Sequence, residues 1–293
     1  MLRPKTSKAF EMTHNPVSPS AAPVSDSARL PVRVRHELRF RRLTVLSTRR
    51  TSAQMIRITV GGDALEGFTS AGFDDHVKLF FPDPATGELV MPQAGPDGLI
   101  WPEGPRPVSR DYTPLGYDAQ ARTLELAFAL HEAGPATRWA EQARPGDVLG
   151  VGGPRGSFVL PMTFDGYVLI GDDTALPAIE RRLAELPADA PVLVLADVDG
   201  PDSQVELPVR PGVDLQWLHR DGAPASDAGR FLDVLAHAAW PAGDVHVWIA
   251  AESGVAKTLR GHLVDSRGHN PKWIKAAGYW RAGSAGAHDE HND

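Results

Sequence analysis

The chain contains no cysteine in its 293 residues. Disulfides, thiolate nucleophiles, zinc–thiolate sites and cysteine-held iron–sulfur clusters are therefore excluded. Any redox chemistry must run through a bound cofactor that cysteine does not hold. Basic charge is also short. The 30 Lys and Arg stand against 37 Asp and Glu, a net charge of −7, which argues against nucleic-acid binding. No run approaches the ~20 apolar residues of a membrane helix, and the N-terminus has no apolar signal core. A cytoplasmic protein without membrane insertion is expected, and a monomer. There is no His-Glu-x-x-His pair and no Gly-x-Ser-x-Gly elbow, so no protein metal site and no catalytic acid–base or nucleophilic residue is expected.

What is present is ordinary soluble-protein material: 42% hydrophobic and 23% charged residues, in a length that favours two domains. Residues 1–31 are rich in Pro, Ser and Ala and read as a disordered leader, or as the product of a misassigned start; residues 282–293 read as a disordered tail. Residues 32–161 carry short alternating segments, among them 55–60, 77–81 and 123–130, separated by Gly, Pro and Asp clusters. In the last, Leu124, Leu126, Phe128 and Leu130 recur with period two, the mark of half-buried strands in an antiparallel barrel or sandwich. A helix over 135–143 interrupts them. From 162 to 281 the texture becomes strand–helix alternation, with strands at 167–170, 192–198, 213–219, 245–250 and 274–279 and helices opening at Thr174, at 227–239 and at 253–265. That is an open, doubly wound α/β domain with a parallel sheet. Seven arginines between 33 and 50 read as the solvated face of the first strands.

A barrel followed by an open α/β domain is the layout of flavin reductases that take hydride from a nicotinamide. Two local motifs suit a flavin dinucleotide. In Arg110-Asp111-Tyr112-Thr113, strand alternation puts a cation and a flat ring, Arg110 and Tyr112, on one face, with the Thr113 hydroxyl on the other. In His131-Glu132-Ala133-Gly134-Pro135-Ala136-Thr137, a strand ends and a helix starts, and helix-start amides bind anions. Together they form a pyrophosphate clamp. In the second domain, Gly171-Asp172-Asp173-Thr174-Ala175 follows a strand and opens a helix, where such a sheet binds a dinucleotide. Asp197 ends the second strand, where an acid favours NADH; His219-Arg220 ends the third, where an arginine suits the 2′-phosphate of NADPH. Glu252 and Ser253 close a later strand, either bordering the nicotinamide or capping the next helix. His246 and the tryptophans Trp139, Trp248 and Trp273 read as packing residues.

The ordered strings DDHVKLFFPDP, RPVSRDYTP, HEAGPATRWA, GGPRGSF, LIGDDTALPAI and GYWRAG resemble the siderophore-interacting protein family, within the ferredoxin–NADP reductase superfamily. The resemblance runs from about 34 to 283. It implies an antiparallel flavin-binding β-barrel followed by a nicotinamide-binding α/β domain, with FAD as cofactor and NADPH or NADH as electron donor. The implied activity is reduction of a ferric siderophore with release of ferrous iron. A general flavin-dependent ferric or electron-carrier reductase, and a non-catalytic siderophore-binding flavoprotein, are the alternatives. Carried onto this chain, Arg110, Asp111, Tyr112, Thr113, His131, Gly134, Pro135, Ala136 and Thr137 bind the flavin, and Asp172, Thr174, Ala175, Arg220 and Glu252 the nicotinamide donor. Lys78 and Arg281 are the cations expected at the mouth for an anionic substrate. Leu115 stands where many members have an arginine, with Arg138 and Arg155 as the alternatives for that grip.

Overall fold

The computed structural model describes residues 26–96, 98–130, 134–283 and 289–290. The first half is β-rich. In chain order it contains β1 (Val32–Arg35), β2 (Phe40–Ser52), β3 (Met55–Gly61), β4 (Val77–Phe80), β5 (Gln93–Gly95), β6 (Gly98–Ile100), β7 (Ser109–Tyr112), β8 (Pro114–Asp118), β9 (Thr123–Ala129), α1 (Pro135–Gln142), β10 (Val148–Gly152) and β11 (Gly156–Val159). Seven strands form one antiparallel sheet in the order β7-β4-β10-β2-β3-β9-β8. Its curled inner face buries Leu43, Val45, Ile58, Val60, Leu79, Leu126 and Phe128, with Ala136 and Ala140 of α1 against them. The β1–β11 and β5–β6 pairs stand outside that sheet.

The second half contains β12 (Gly166–Asp172), α2 (Leu176–Glu185), β13 (Val192–Val198), β14 (Val213–His219), α3 (Gly229–Leu235), β15 (Val245–Glu252), α4 (Ser253–Gly261), β16 (Ile274–Trp280) and β17 (Asp289–Glu290). The order is β14-β13-β12-β15-β16-β17, parallel except for β17. β13, read Val-Leu-Val-Leu-Ala-Asp-Val, is buried along its whole length, as a parallel strand covered on both faces must be. The strand order switches direction between the parallel neighbours β12 and β15, so the crevice beyond the C-terminal ends of those strands is the dinucleotide position of such a sheet. One apolar core spans both halves: Met55, Phe73 and Ala127 of the barrel pack with Tyr167, Leu169, Ile179 and Trp248 of the α/β domain.

Five local expectations change. Asp172, not Thr174, caps the turn before α2, its carboxylate accepting from the Thr174 amide. α3 starts at Gly229 because the Asp227 side chain accepts from the Gly229 amide, and it ends at Leu235, well short of 239. The stretch read as leader includes Arg29, which is buried, paired to Asp244 at 2.7 Å and stacked over Phe164 and Trp273. Within the stretch read as tail, Asp289–Glu290 pairs with Ala277 and Gly278. Six of the seven arginines between 33 and 50 lie outside the core; Arg41 is buried and donates to the carbonyls of Ala64 and Gly153.

Candidate functional site

The register of β7 against β4 sorts the Arg-Asp-Tyr-Thr motif by face. Arg110 lies opposite Leu79 and Tyr112 opposite Val77, both core residues, whereas Asp111 lies opposite Lys78 on the outer face. Tyr112 is half-buried, with its ring 4.4 Å from that of Phe128. Burial pushes its phenol far above the ordinary value, so it stays neutral. Phe128 also touches Trp139 of α1, at 5.7 Å, so one ring joins the motif strand to the helix whose first turn holds Gly134, Pro135, Ala136 and Thr137. Gly134 is the N-cap, with extended backbone and Pro135 in the first turn. The Arg110 guanidinium is half-buried and, among the described residues, donates only to the Ser109 carbonyl of its own strand at 2.8 Å. With no carboxylate on it among the described residues, it can take a phosphate. His131 lies outside the described residues.

Asp111 turns away from Arg110 and Tyr112 and ion-pairs with Lys78 at 2.7 Å. It therefore belongs with the outer-face cation rather than with a flavin pocket. Arg281 is exposed one residue beyond β16. Thr113 is buried near the Tyr279 phenol, which lies across the domain seam near the end of β16. Burial first, then the nearby Asp74 charge, holds the Tyr279 phenol well above its usual range.

At the crevice beyond β12 and β15, Asp172 is a hub. Oδ1 accepts from the Thr174 amide at 2.9 Å and its hydroxyl at 2.5 Å; Oδ2 accepts from the Glu252 amide at 3.1 Å and Trp280 Nε1 at 2.8 Å. Burial and the charge of Asp173 push its carboxyl up to about 7, against the hydrogen bonds from Thr174 and Trp280. Those four donors all come from the protein, so Asp172 ties the ends of β12, β15 and β16 together rather than reaching a ribose. Glu252 is likewise occupied: Oε2 accepts from the Gly254 and Val255 amides, capping α4, and Oε1 from the Ala282 amide. Ala175 is fully buried, and a Cβ on Gly171 would lie 2.4 Å from its own. Gly171 thus permits the helix to start against the strand.

Arg220 does not project into the crevice with a free edge. It is 8% exposed, with Nη2 on Asp173 at 2.5 Å and Nη1 on the Asp197 carbonyl at 3.2 Å and carboxylate at 3.5 Å. Asp197, wholly buried, is gripped from its other side by Arg230, with Nε at 3.2 Å and Nη2 at 3.1 Å. Two guanidiniums neutralise this acid, and it cannot meet a ribose hydroxyl. Arg230 keeps the more open position, 18% exposed at the start of α3. The residues missed in the sequence are Arg230, Tyr279 and Trp280. The last two lay inside GYWRAG; Arg230 had no local signal, since its meaning comes from a strand thirty-three residues away.

Comparison with known proteins agrees with this fold. Residues 44–158 match the model of the siderophore-interacting FAD-binding domain, and residues 164–283 that of siderophore-interacting protein. A protein of Escherichia coli K12 named NADPH-dependent ferric-chelate reductase is 43% identical over 262 residues, covering 88% of this chain and all of that one. Ferric vibriobactin reductase ViuB of Vibrio cholerae is 36% identical over 171 residues, 58% of this chain and 63% of that one. A siderophore utilization protein from T. fusca superimposes with a TM-score of 0.81 at 40% identity, covering 88% of this chain and 98% of that one. The match of both family models, one on each half, and the full-length relative place this chain in the siderophore-interacting protein family.

Proposed function

We propose that this protein is an FAD-containing, NADPH-dependent reductase of ferric siderophores, acting in the cytoplasm, where it frees iron as the ferrous ion. The observation that carries the reading is the seam between the barrel's flavin motif and α2, where Arg181 donates to the carbonyl of Pro114, the residue after Thr113, at 3.2 Å and Leu115 packs on the core shared by both halves. It brings the flavin-type strand and the nicotinamide-type crevice to one place. The residues present fit the cofactor: among the described residues Arg110 donates only to its own strand, Tyr112 offers a neutral half-buried ring, and α1, joined to that strand through Phe128 and Trp139, begins with a Gly-Pro turn. Arg110 and the first turn of α1 hold the pyrophosphate, and Tyr112 supports the ring system. Bound FAD supplies a two-electron acceptor for hydride that can pass electrons singly to ferric iron.

This chain's residues do the rest. Asp172 fixes Trp280 and the Glu252 amide at the mouth of the crevice. Arg230, anchored on Asp197 by one edge, faces the 2′-phosphate of the donor, and Arg220 keeps Asp197 from repelling it. Lys78 and Arg281 draw the anionic ferric complex. The test is anaerobic addition of NADPH to the yellow holoprotein. Bleaching, then recovery of colour on adding a ferric siderophore, is expected, with FAD rather than FMN in the mass spectrum of the heat-released cofactor. A protein that bleaches but does not recover with any ferric complex is not this reductase.

A further inference from the structure

A cavity lined by none of the flavin-motif residues lies between the β1–β11 pair and the first residues of β15 and β16. It has a volume of ≈ 210 Å³. A protein cavity of about 150 Å³ holds a benzene ring, so this one has room for one substituted ring and not for a whole siderophore. Its apolar walls are Phe73, Phe158, Leu160 and Ile274. Its polar wall is unusual. His246, 5% exposed, lines it and makes no hydrogen bond among the described residues; the Phe164 ring lies 5.2 Å from its own. The His246 nitrogens are therefore left for whatever fills the cavity. Burial, then the positive charges of Arg182 and Lys275, keep this imidazole neutral, so it offers both a donor and an acceptor.

The charge around the cavity is positive. Arg182 is 2% exposed, has no ion pair among the described residues, leaves Nη2 without a hydrogen bond and lies over the Phe73 ring at 4.8 Å. Lys272 lines the cavity, is exposed and forms no ion pair among the described residues. Asp74, the one acid in the lining, is already used by Lys275 at 2.6 Å and Trp248 Nε1 at 2.8 Å. Flat apolar walls, an unpartnered neutral imidazole and an unopposed ammonium together fit one ligand chemistry.

We infer that this cavity binds a small planar aromatic anion bearing a hydroxyl, of the hydroxybenzoate type, its hydroxyl on His246 and its carboxylate at Lys272. The ring is either a free acid or one arm of a larger chelator. The inference does not rest on the reductase reading. Calorimetric titration of the FAD-loaded protein tests it, with salicylate, benzoate and 2-hydroxybenzyl alcohol as probes. His246→Leu should weaken salicylate about tenfold and benzoate little, since only salicylate uses the imidazole. Lys272→Ala should weaken salicylate and benzoate several-fold and leave the neutral alcohol unchanged. Both variants should retain FAD and bleach with NADPH at the wild-type rate, which separates this site from the flavin site. Competition by a ferric tris-catecholate assigns the site to a chelator arm, and its absence to free aromatic acids. No heat with salicylate up to about 10 mM, or equal salicylate affinity in wild type and both variants, overturns the inference and leaves the cavity to water.

Discussion

Arg220 and Arg230 grip the same buried carboxylate, yet their removal should have different consequences. Arg220 is enclosed with Asp173 and Asp197. Arg220→Ala leaves both acids short of a partner, and breaking a buried pair in this way costs roughly 3–5 kcal/mol. Its main effect should be a lower denaturation midpoint, with NADPH and NADH use falling together. Arg230 has its outer edge nearer solvent and a weaker tie to Asp227 at 3.8 Å. Arg230→Ala should raise the KM for NADPH by about ten- to a hundredfold, the worth of one charge-assisted contact, and spare NADH. Steady-state kinetics with both donors decides between them. Equal losses for the two donors in Arg230→Ala would remove it from the 2′-phosphate site. The sequence pointed to Arg220 because it ends a strand. That logic reads position along the chain and is blind to which cation the neighbouring acids consume.

Elements were legible where their burial is uniform. The strand at Val192–Val198 coincides with its sequence bounds because a parallel strand walled on both sides is an apolar run bounded by turns; Val213–His219 coincides as well, although as an edge strand it carries Asp214, Gln216 and His219 and buries only Leu218. β2 was hidden: its outer face carries arginines, and only Leu43 and Val45 betray the inner face. The flavin motif was readable as a four-residue string, but the opposite orientation of Asp111 depends on a cross-strand register with Lys78 that no local pattern specifies. The knot at the strand ends was the least legible, since Asp172 gathers donors from residues 174, 252 and 280. This knot gives the parallel sheet a pH dependence. The Asp172 carboxyl is pushed up to about 7 in the fold, against roughly 4 in an unfolded chain. Between those values the folded state binds the extra proton, so this group's contribution to stability declines as pH rises from about 4 to 7 and is level above. Asp172→Asn removes that slope. Urea midpoints measured from pH 5 to pH 8 should fall less steeply with rising pH in the variant than in wild type. Parallel profiles would mean that Asp172 is ionised throughout, held so by its four donors.

At the scale of the whole molecule, two features act together: how the halves are fastened, and how charge is spread over them. Fastening is both apolar, through the core that runs from Phe73 to Trp248, and polar. Arg181 of α2 donates to the Ser70 hydroxyl and carbonyl and to the Pro114 carbonyl, and Arg57 of β3 pairs with Glu180. The halves should therefore unfold in one calorimetric transition, and Arg181→Ala, which strands two carbonyls at the seam, should lower stability by about 1–3 kcal/mol. Two separated transitions in the wild type would contradict this coupling. A rigid seam fixes the substrate mouth, so charge there is decisive. The net charge of −7 repels an anionic ferric complex at long range, and local cations must reverse that field near the flavin. Lys78 is one such cation, but Asp111 at 2.7 Å cancels much of it. Removing either member has an opposite sign. Lys78→Ala deletes a positive charge and uncovers a negative one, so it should raise the apparent KM for an anionic ferric siderophore. Asp111→Asn uncovers the ammonium and should lower it. Both shifts should shrink with a neutral ferric chelate and with rising salt, because the pair is partly exposed and the Debye length falls from about 10 Å at 0.1 M to about 3 Å at 1 M. Stopped-flow reoxidation of the reduced flavin at subsaturating siderophore reads this directly, while the rate of NADPH-driven reduction serves as the internal control. Shifts of the same sign in the two variants would show that the pair acts through the shape of the outer face of β4 and β7, and not through its charge.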